Sequence, residues 1–334
     1  MKKAVWLTAG AVVVLLLGCG QDQHTETAGR GIEPMRHIDV TLDGFEGAEN
    51  VGVLMAEELG FFADVGLEVT ILSPGSPVST LQYVANRVVD FGVTHQPQLV
   101  LARQNGAPVI AVGALVKRPT AAMIWLQSSD LDGLADLKGK SIAIRGLRFE
   151  KELLRIVLKR AGVSLHSVNV KSAGNDLLPY LSDGRADAIF GGFTGLEGAV
   201  LEARGLRPVI RPVRNLGVPS YDELVMIARR DRVAREPNLI RDFMSSIARG
   251  TAAAIADPEA ARRASESGFE ANPELDHADV EAAVEATLPV LSENGYMNPM
   301  QARRLIGWMA KEGLLAHRLP ASSVLTNAYL NPGS

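Results

Sequence analysis

The sequence VVDFGVTHQPQLVLA, residues 88–102, decides the fold class. Val88 to Val93 is a short, mostly apolar run, which is typical of a strand buried on both faces. Pro97 stands where a helix would begin, and Asn105-Gly106 predicts its end. A strand that turns directly into a helix presents free backbone N–H groups at the carboxyl edge of the sheet, where ligands of open α/β sheets bind.

A second stretch repeats this order of features farther along the chain. Asp187 to Phe190 predicts a strand, Gly191 to Thr194 a loop, and Gly195 the start of another helix. Such units also recur in large α/β proteins that lack two similar lobes, so the repeat alone leaves that alternative open. We favour two lobes, each of which presents one loop to a shared cleft.

Strand patterns alternate with helical patterns over most of the chain, which predicts an α/β fold with largely parallel, doubly wound sheets. We assign residues 37–126 and 222–334 to lobe 1 and residues 127–221 to lobe 2. The length of 334 residues and the hydrophobic fraction of 47% leave room for two lobes. The net charge of −4, without any run of Lys or Arg, argues against nucleic acid as a partner.

The amino-terminal sequence predicts export. Lys2-Lys3 precede an apolar core, Ala4 to Leu17, that is too short to predict a membrane-spanning helix. Leu16-Leu17-Gly18-Cys19 resembles the lipobox of bacterial lipoproteins, which implies cleavage before Cys19 and a lipid on its sulfur. The alternative is an uncleaved anchor with an incidental cysteine. We therefore expect a lipoprotein signal peptide at 1–19 and a flexible tether at 20–36.

Several motifs resemble the type II periplasmic-binding-protein family, in the branch of ABC-transporter substrate-binding proteins for thiamine pyrimidine precursors (ThiY-like), riboflavin and sulfonates. Two resemble the wider family, namely Glu57 to Phe62 and Asp136 to Lys140. Three resemble the pyrimidine-precursor binders, namely Thr94 to Leu99, Gly217 to Val225 and Leu325 to Leu330. The resemblance implies two doubly wound lobes with a ligand cleft between them.

The resemblance also implies a role. We expect an extracytoplasmic, lipid-anchored, monomeric solute-binding component of an ABC importer. Its partners would be a small heterocycle, an ABC permease and ATPase complex, and the membrane through Cys19. We expect no cofactor and no metal site, because no second His, Cys or carboxylate lies at ligand spacing from His95. A sensor lipoprotein without a permease is an alternative.

The candidate ligand-binding residues are Asp43, Phe45, Asn50, His95, Gln96, Phe193, Glu197 and Tyr221. An aromatic face can stack on a planar ring, and a few polar groups can fix its orientation. Each candidate that we weighed individually also has a structural alternative. Phe45 could pack in the hinge or the core, Gln96 could cap its helix, His95 could pack in its loop, Glu197 could be solvated on a helix, and Tyr221 could pack in the hinge.

Two arginines at the start of a predicted helix, Arg145 and Arg148, could meet an anionic ligand or be solvated loop charges. We favour an aminopyrimidine of the thiamine-precursor type, because a carboxylate such as Glu197 accepts from an amino group and repels a sulfonate. Riboflavin remains an alternative, since Gly44 and Thr194 leave room where the branch usually has tryptophans, and a sulfonate is the other alternative.

The enzyme alternative is a pyrimidine synthase of the same fold. That enzyme carries a cysteine-rich iron site, whereas Cys19 is the only cysteine of this chain. We therefore expect a binding protein rather than an enzyme.

Overall fold

Two five-stranded sheets form the framework of the part of the chain that the structure describes. The structure is a computed structural model that describes residues 34–44, 47–73, 79–174, 176–270 and 275–330. The predicted signal peptide with Cys19, the predicted tether up to residue 33, and Phe45 lie outside these residues. The strands are β1 (Arg36–Thr41), β2 (Leu67–Leu72), β3 (Phe91–His95), β4 (Val109–Val116), β5 (Ala121–Leu126), β6 (Ser141–Ile144), β7 (Asn169–Ser172), β8 (Ala188–Phe193), β9 (Pro208–Pro212) and β10 (Leu224–Arg229).

The helices surround both sheets. They are α1 (Val51–Glu58), α2 (Ser79–Ala85), α3 (Gln96–Gln104), α4 (Arg148–Arg160), α5 (Leu178–Ser182), α6 (Ala199–Ala203), α7 (Arg230–Arg235), α8 (Pro237–Ala256), α9 (Pro258–Glu270), α10 (His277–Thr287) and α11 (Pro299–Lys311). Among the described residues, none of these helices combines the length and the apolar character that crossing a membrane requires.

The first sheet has the strand order β2-β1-β3-β10-β4, and the second has the order β7-β6-β8-β5-β9. In each sheet the strands near one end pair in parallel, whereas β10 and β5 run antiparallel to their neighbours. The prediction of an α/β fold is confirmed, but the sheets are mixed rather than largely parallel. The reason is geometric: β5 and β10 come directly from the other sheet, so they enter at the carboxyl edge and run backwards.

The structure differs from the sequence-based prediction at the first crossover between the sheets. We assigned strand 122–126 to lobe 1, but β5 pairs with β8 and β9 of the second sheet. That assignment is wrong because the pairing partners of a short apolar strand are not encoded in its own pattern. The first crossover therefore lies between β4 and β5, at residues 117–120. The return through β10, which pairs with β3 and β4, is confirmed.

The organising stretch folds as its sequence predicts. Strand β3 is buried along its whole length, and α3 follows it at once, with Pro97 in its first turn and Asn105 as its C-cap. On the helix side of the first sheet, the Phe91 ring stacks on Phe243 with 4.0 Å between the centroids. This packing anchors β3, so its carboxyl end is a fixed point from which His95 and Gln96 project.

The second unit departs from its prediction. Gly191 to Thr194 was expected to be a loop, but β8 continues to Phe193. Gly191 forms a bulge opposite β5 and has a φ of +85°, a conformation that side chains disfavour. A Cβ there would also overlap the Glu150 carboxylate. After the strand, Thr194–Gly198 forms one turn of π-helix, a wide turn that is frequent at functional sites.

Candidate functional site

Glu223 ties the two crossovers together at the carboxyl edge of both sheets. Its carboxylate accepts backbone N–H groups of Thr120 (2.8 Å) and Ala121 (3.1 Å), which begin the path into β5. It also lies 3.0 Å from Nδ1 of His95 at the end of β3, so this imidazole nitrogen carries a hydrogen and donates. With 1% of its surface exposed, Glu223 is a buried and fully engaged carboxylate.

His95 lies where the two sheets face each other. Its ring centroid is 5.2 Å from that of Phe149 and 6.0 Å from that of Phe193, both on the second-sheet side. Burial lowers the pKa of His95, but the hydrogen bond and charge of Glu223 outweigh this and leave the pKa raised. His95 is therefore held in place between the two sheets by its bond to Glu223.

Gln96 and Tyr221 also make their contacts at the return crossover. Gln96 Nε2 donates to Asp222 Oδ2 (3.0 Å), and Asp222 N–H donates back to Gln96 Oε1 (3.3 Å). Burial raises the pKa of Asp222 to about 7, which the bond from Gln96 opposes. Tyr221 is fully buried, and its hydroxyl lies 3.4 Å from Glu223 Oε2. These contacts match the hinge-packing alternative for Tyr221, and they direct Gln96 to Asp222 rather than to the helix cap.

On the second-sheet side, the π-turn bends Glu197 back to the end of its own strand. The Glu197 carboxylate accepts the N–H of Phe193 (2.6 Å) and Nη2 of Arg145 (2.6 Å). The Arg145 guanidinium also donates to the Gly191 carbonyl and lies 4.4 Å from the centroid of the Phe193 ring. Arg145 is therefore neither a solvated loop charge nor free to meet an anion, and one face of Phe193 is occupied.

Glu150, at the start of α4, is a further buried acid of this region. Its carboxylate accepts the N–H of Gly146 (3.1 Å) and lies against Gly191. Burial raises the pKa of Glu150 to about 7, although the charges of Arg145 and His95 oppose the rise. Sequence reasoning did not single out Glu150, because an acid in the first turn of a helix usually caps it in solvent.

On the first-sheet side, the short turn between β1 and α1 contributes further polar residues to this region. Ala48–Asn50 is a 3₁₀ turn, and Asn50 Nδ2 donates to Asp43 Oδ1 (3.0 Å). Glu49 lies between these two residues in the chain and is only 5% exposed. Burial raises the pKa of Glu49 to about 7, partly offset by its own backbone N–H, and the charges of Asp43 and Glu197 raise it further.

These charged groups influence one another across the two sheets, and we call them the inter-sheet cluster: Asp43, Glu49, His95, Arg145, Glu150, Glu197 and Glu223. The cluster therefore brings together the candidates Asp43, His95 and Glu197, with Asn50 and Phe193 in contact with its members. Gln96 and Tyr221 lie at the return crossover, where they contact Asp222 and Glu223 respectively. Sequence reasoning missed Glu49, Glu150 and Glu223, although Glu223 lies inside the motif Gly217 to Val225.

The cluster contains five carboxyl groups, one guanidinium and one imidazole. Burial lowers the pKa of Arg145, but Glu197 and the other acids outweigh this, so the guanidinium stays charged. In the part of the chain that the structure describes, no three His, Cys, Asp or Glu side chains are arranged to hold a metal ion. Acids outnumber cations in the cluster, so its interior can accept hydrogen bonds from a ligand that carries donors.

Two mixed sheets whose crossovers and strand ends meet at a buried polar cluster define the periplasmic-binding-protein class of fold. The alkanesulfonate-binding protein SsuA from Xanthomonas axonopodis matches with a TM-score of 0.68 and 15% identity, covering 88% of this chain and 99% of that one. The SsuA protein of Escherichia coli matches with a TM-score of 0.66 and 13% identity, covering 86% and 91%. Both likenesses confirm the fold expected from the sequence.

The family described as NMT1/THI5 like matches residues 48–261, and the chain belongs to this family. A putative thiamine biosynthesis protein of Haemophilus influenzae is 29% identical over 84% of this chain and 89% of its own length. The formylaminopyrimidine-binding protein of Halalkalibacterium halodurans is 30% identical over 69% of each. A 4-amino-5-hydroxymethyl-2-methylpyrimidine phosphate synthase of Legionella pneumophila is 25% identical over 76% and 80%. The resemblance inferred from the sequence is confirmed.

Proposed function

We propose that this protein is the extracytoplasmic, lipid-anchored solute-binding component of an ABC importer, and that it binds an aminopyrimidine precursor of thiamine. The formylaminopyrimidine-binding relative supports the ligand class, and the periplasmic-binding-protein fold supports the transport role. Asp43, Asn50, His95, Phe193 and Glu197 would surround the ligand, with Phe45, Gln96 and Tyr221 as the remaining candidates.

The observation that carries the proposal is the charge balance of the inter-sheet cluster. Its arginine is already bound to Glu197, at 2.6 Å, and its histidine to Glu223, at 3.0 Å. The remaining acids, Asp43, Glu49 and Glu150, can each accept further hydrogen bonds, and the amino group of an aminopyrimidine can donate them. A sulfonate would bring only acceptors and a negative charge. Two like charges about 4 Å apart repel by roughly 4 kcal/mol at an effective dielectric constant of about 20.

Calorimetric titration of the purified protein tests the ligand class. We expect binding of 4-amino-5-hydroxymethyl-2-methylpyrimidine or its formylamino relative at least about tenfold tighter than binding of an alkanesulfonate or riboflavin, a gap of ~1.4 kcal/mol. Tight binding of the sulfonate, or of riboflavin alone, would replace the aminopyrimidine by that alternative.

The synthase is the second candidate, because relatives such as the Legionella protein carry that name. The cysteine content argues against it, since Cys19 is the only cysteine and is assigned to the lipid anchor. A synthase would form 4-amino-5-hydroxymethyl-2-methylpyrimidine phosphate, so this protein should not form that compound when it is produced in a cell that lacks its own synthase. Formation of the compound in such a cell would restore the enzyme alternative.

The anchoring part of the proposal rests on Leu16-Leu17-Gly18-Cys19. Replacing Cys19 by alanine should abolish metabolic labelling with a radioactive fatty acid and leave the protein unprocessed or released from the membrane. Unchanged labelling of the Cys19→Ala variant would overturn the lipoprotein assignment without affecting the ligand.

A further inference from the structure

Glu49 is the one acid of the inter-sheet cluster for which the described residues supply neither an ion-pair partner nor a hydrogen bond from another residue. Within the described residues, its own backbone N–H is the only group that hydrogen-bonds the carboxyl. It is nevertheless 95% buried, since only 5% of its surface is exposed. A buried carboxyl group in this position costs several kcal/mol unless a partner compensates it.

The neighbouring charges increase the cost of burying the Glu49 carboxyl group. Asp43 and Glu197 are the charged groups that disfavour an ionised Glu49, and Arg145 is the cation that favours it. Arg145, however, is already engaged with the Glu197 carboxylate, the Gly191 carbonyl and the Phe193 ring. Glu49 therefore lies in the acidic interior with acceptor capacity that the described residues leave unused.

The other acids of the cluster show that the fold does supply partners where a carboxylate is structural. Glu223 receives two backbone N–H groups and an imidazole, and Glu197 receives a backbone N–H and a guanidinium. A site without partners, in a region where every comparable site has them, is typical of a group whose partner arrives from outside.

We propose that Glu49 is a specificity-determining residue that recognises the adjacent amino group and ring nitrogen of a nitrogen heterocycle. This proposal rests on the proposed function, and it identifies which edge of the ligand faces the first sheet. The carboxyl group would form two parallel hydrogen bonds with that edge: one oxygen accepts from the amino group, and the other shares a proton with the ring nitrogen. The proton can lie on the carboxyl oxygen or on the ring nitrogen, and the hydrogen bond between these two atoms is kept in both cases.

This assignment predicts a selective rather than a general effect of substitution. Replacing Glu49 by methionine keeps the length of the side chain and removes both hydrogen bonds. Replacing it by glutamine keeps an acceptor and a donor in nearly the same places. Methionine should lower the affinity for the aminopyrimidine by about 10- to 100-fold, the range for losing a strong hydrogen-bonded pair, and glutamine should recover most of it.

The experiment is calorimetry on the wild type, Glu49→Met, Glu49→Gln and the control Glu58→Met, whose side chain is exposed at the end of α1, the helix that follows Glu49. The probes are 4-amino-5-hydroxymethyl-2-methylpyrimidine and its analogue without the 4-amino group. We expect the methionine variant to weaken binding of the first probe much more than of the second, and the control to change neither. Such coupling between a protein change and a ligand change reports direct contact.

Thermal unfolding of each variant without ligand completes the test. Because methionine replaces a buried carboxyl that lacks a partner, the apo protein should melt at the same or a higher temperature. Equal weakening for both probes, or unchanged affinity in Glu49→Met, would overturn the role of Glu49 while the proposed function stands. Absence of binding of either probe to the wild type would instead overturn the proposed function and this inference with it.

Discussion

Glu223 at the return crossover and Glu49 in the turn before α1 belong to the same buried cluster, but their surroundings are opposite. Glu223 accepts from the backbone N–H groups of Thr120 and Ala121 and pairs with His95. Glu49 receives only its own backbone N–H among the described residues. The difference separates carboxylates that hold the two sheets together from one that is available to a ligand, and each of the following predictions tests this separation.

The largest effect is expected from Glu223→Ala. The substitution leaves two buried N–H groups without an acceptor and the His95 imidazole without its partner. Removing one member of such a buried network costs about 3–5 kcal/mol of unfolding free energy. Urea denaturation followed by circular dichroism measures the loss.

The matched control is Glu293→Ala, because Glu293 pairs with Lys117 at 3.8 Å on the surface, with 69% of its side chain exposed. Its loss should stay within about 0.5 kcal/mol. A cost of similar size for both variants would show that Glu223 has no special structural role, and the comparison with Glu49 would lose its basis.

The next effect concerns the pH dependence of stability. The pKa of Glu49 rises from its ordinary 4.5 to about 7 in the folded protein, so the folded state retains a proton that the unfolded state releases. Stability is therefore lost as pH rises from about 4.5 to about 7, by an amount on the order of 3 kcal/mol for this group. In Glu49→Gln this contribution disappears.

The measurement is urea denaturation of the wild type and Glu49→Gln at pH 5 and pH 8. Glu150 and Asp222 have pKa values raised to about 7, and the pKa of His95 is also raised, so all three favour the lower pH in the same direction. Only the difference between the two proteins isolates Glu49. Parallel losses of stability in both proteins would mean that Glu49 is ionised at no cost, as if it had a partner.

Glu197→Gln should alter ligand selection rather than stability alone. The glutamine no longer neutralises Arg145, which stays buried beside Phe193. We expect the affinity for the aminopyrimidine to fall by about 1.5–3 kcal/mol, the range for a hydrogen bond to a charged group. The affinity for an alkanesulfonate should rise, because an uncompensated buried guanidinium attracts an anion.

Calorimetry with both ligands on Glu197→Gln tests this exchange, and Glu202→Gln on the exposed side of α6 is the control. A loss of aminopyrimidine binding without any gain for the sulfonate would place Glu197 in contact with the ligand but refute the account of Arg145. Unchanged binding of both would remove Glu197 from the site.

The parts of the fold that could be predicted from the sequence are those with local causes. The apolar run of β3 and Pro97 at the start of α3 predicted that unit, because each acts on its own neighbourhood. The sheet to which β5 belongs could not be predicted, since a short apolar strand pairs as well with one sheet as with the other. The π-turn after Phe193 was missed because one extra residue in a turn leaves no periodic signal.

The candidate site divides in the same way. His95 ends β3, Phe193 ends β8 and Glu197 follows it, so the rule that ligands bind at the carboxyl edge of a sheet, together with the resemblance to the family, selected them. Glu49 was missed because an acid near a helix start is usually solvated, whereas the turn that carries it packs against β4, α9 and α10, which are distant in the chain. The pairing of Arg145 with Glu197 depends on residues far apart in the chain, which periodicity cannot reveal.

The smallest effect is expected from Tyr221→Phe, and it tests the partnered side of the comparison. The Tyr221 ring is fully buried, and phenylalanine preserves it while removing only the hydroxyl. That hydroxyl lies 3.4 Å from Glu223 Oε2, a poor hydrogen bond beside the three shorter ones that Glu223 accepts. We therefore expect a loss of at most about 1 kcal/mol of unfolding free energy.

The affinity of Tyr221→Phe for the aminopyrimidine decides between the two roles that the sequence left open for this residue. If Tyr221 packs in the hinge, the dissociation constant should change by less than about twofold, since the ring and the engaged Glu223 are both retained. If its hydroxyl binds the ligand, affinity should fall by about tenfold, corresponding to ~1.4 kcal/mol. The second result would extend the ligand site to the return crossover and include Glu223 in it. The presence of hydrogen-bond partners within the protein would then no longer distinguish an acid with a structural role from an acid that binds the ligand.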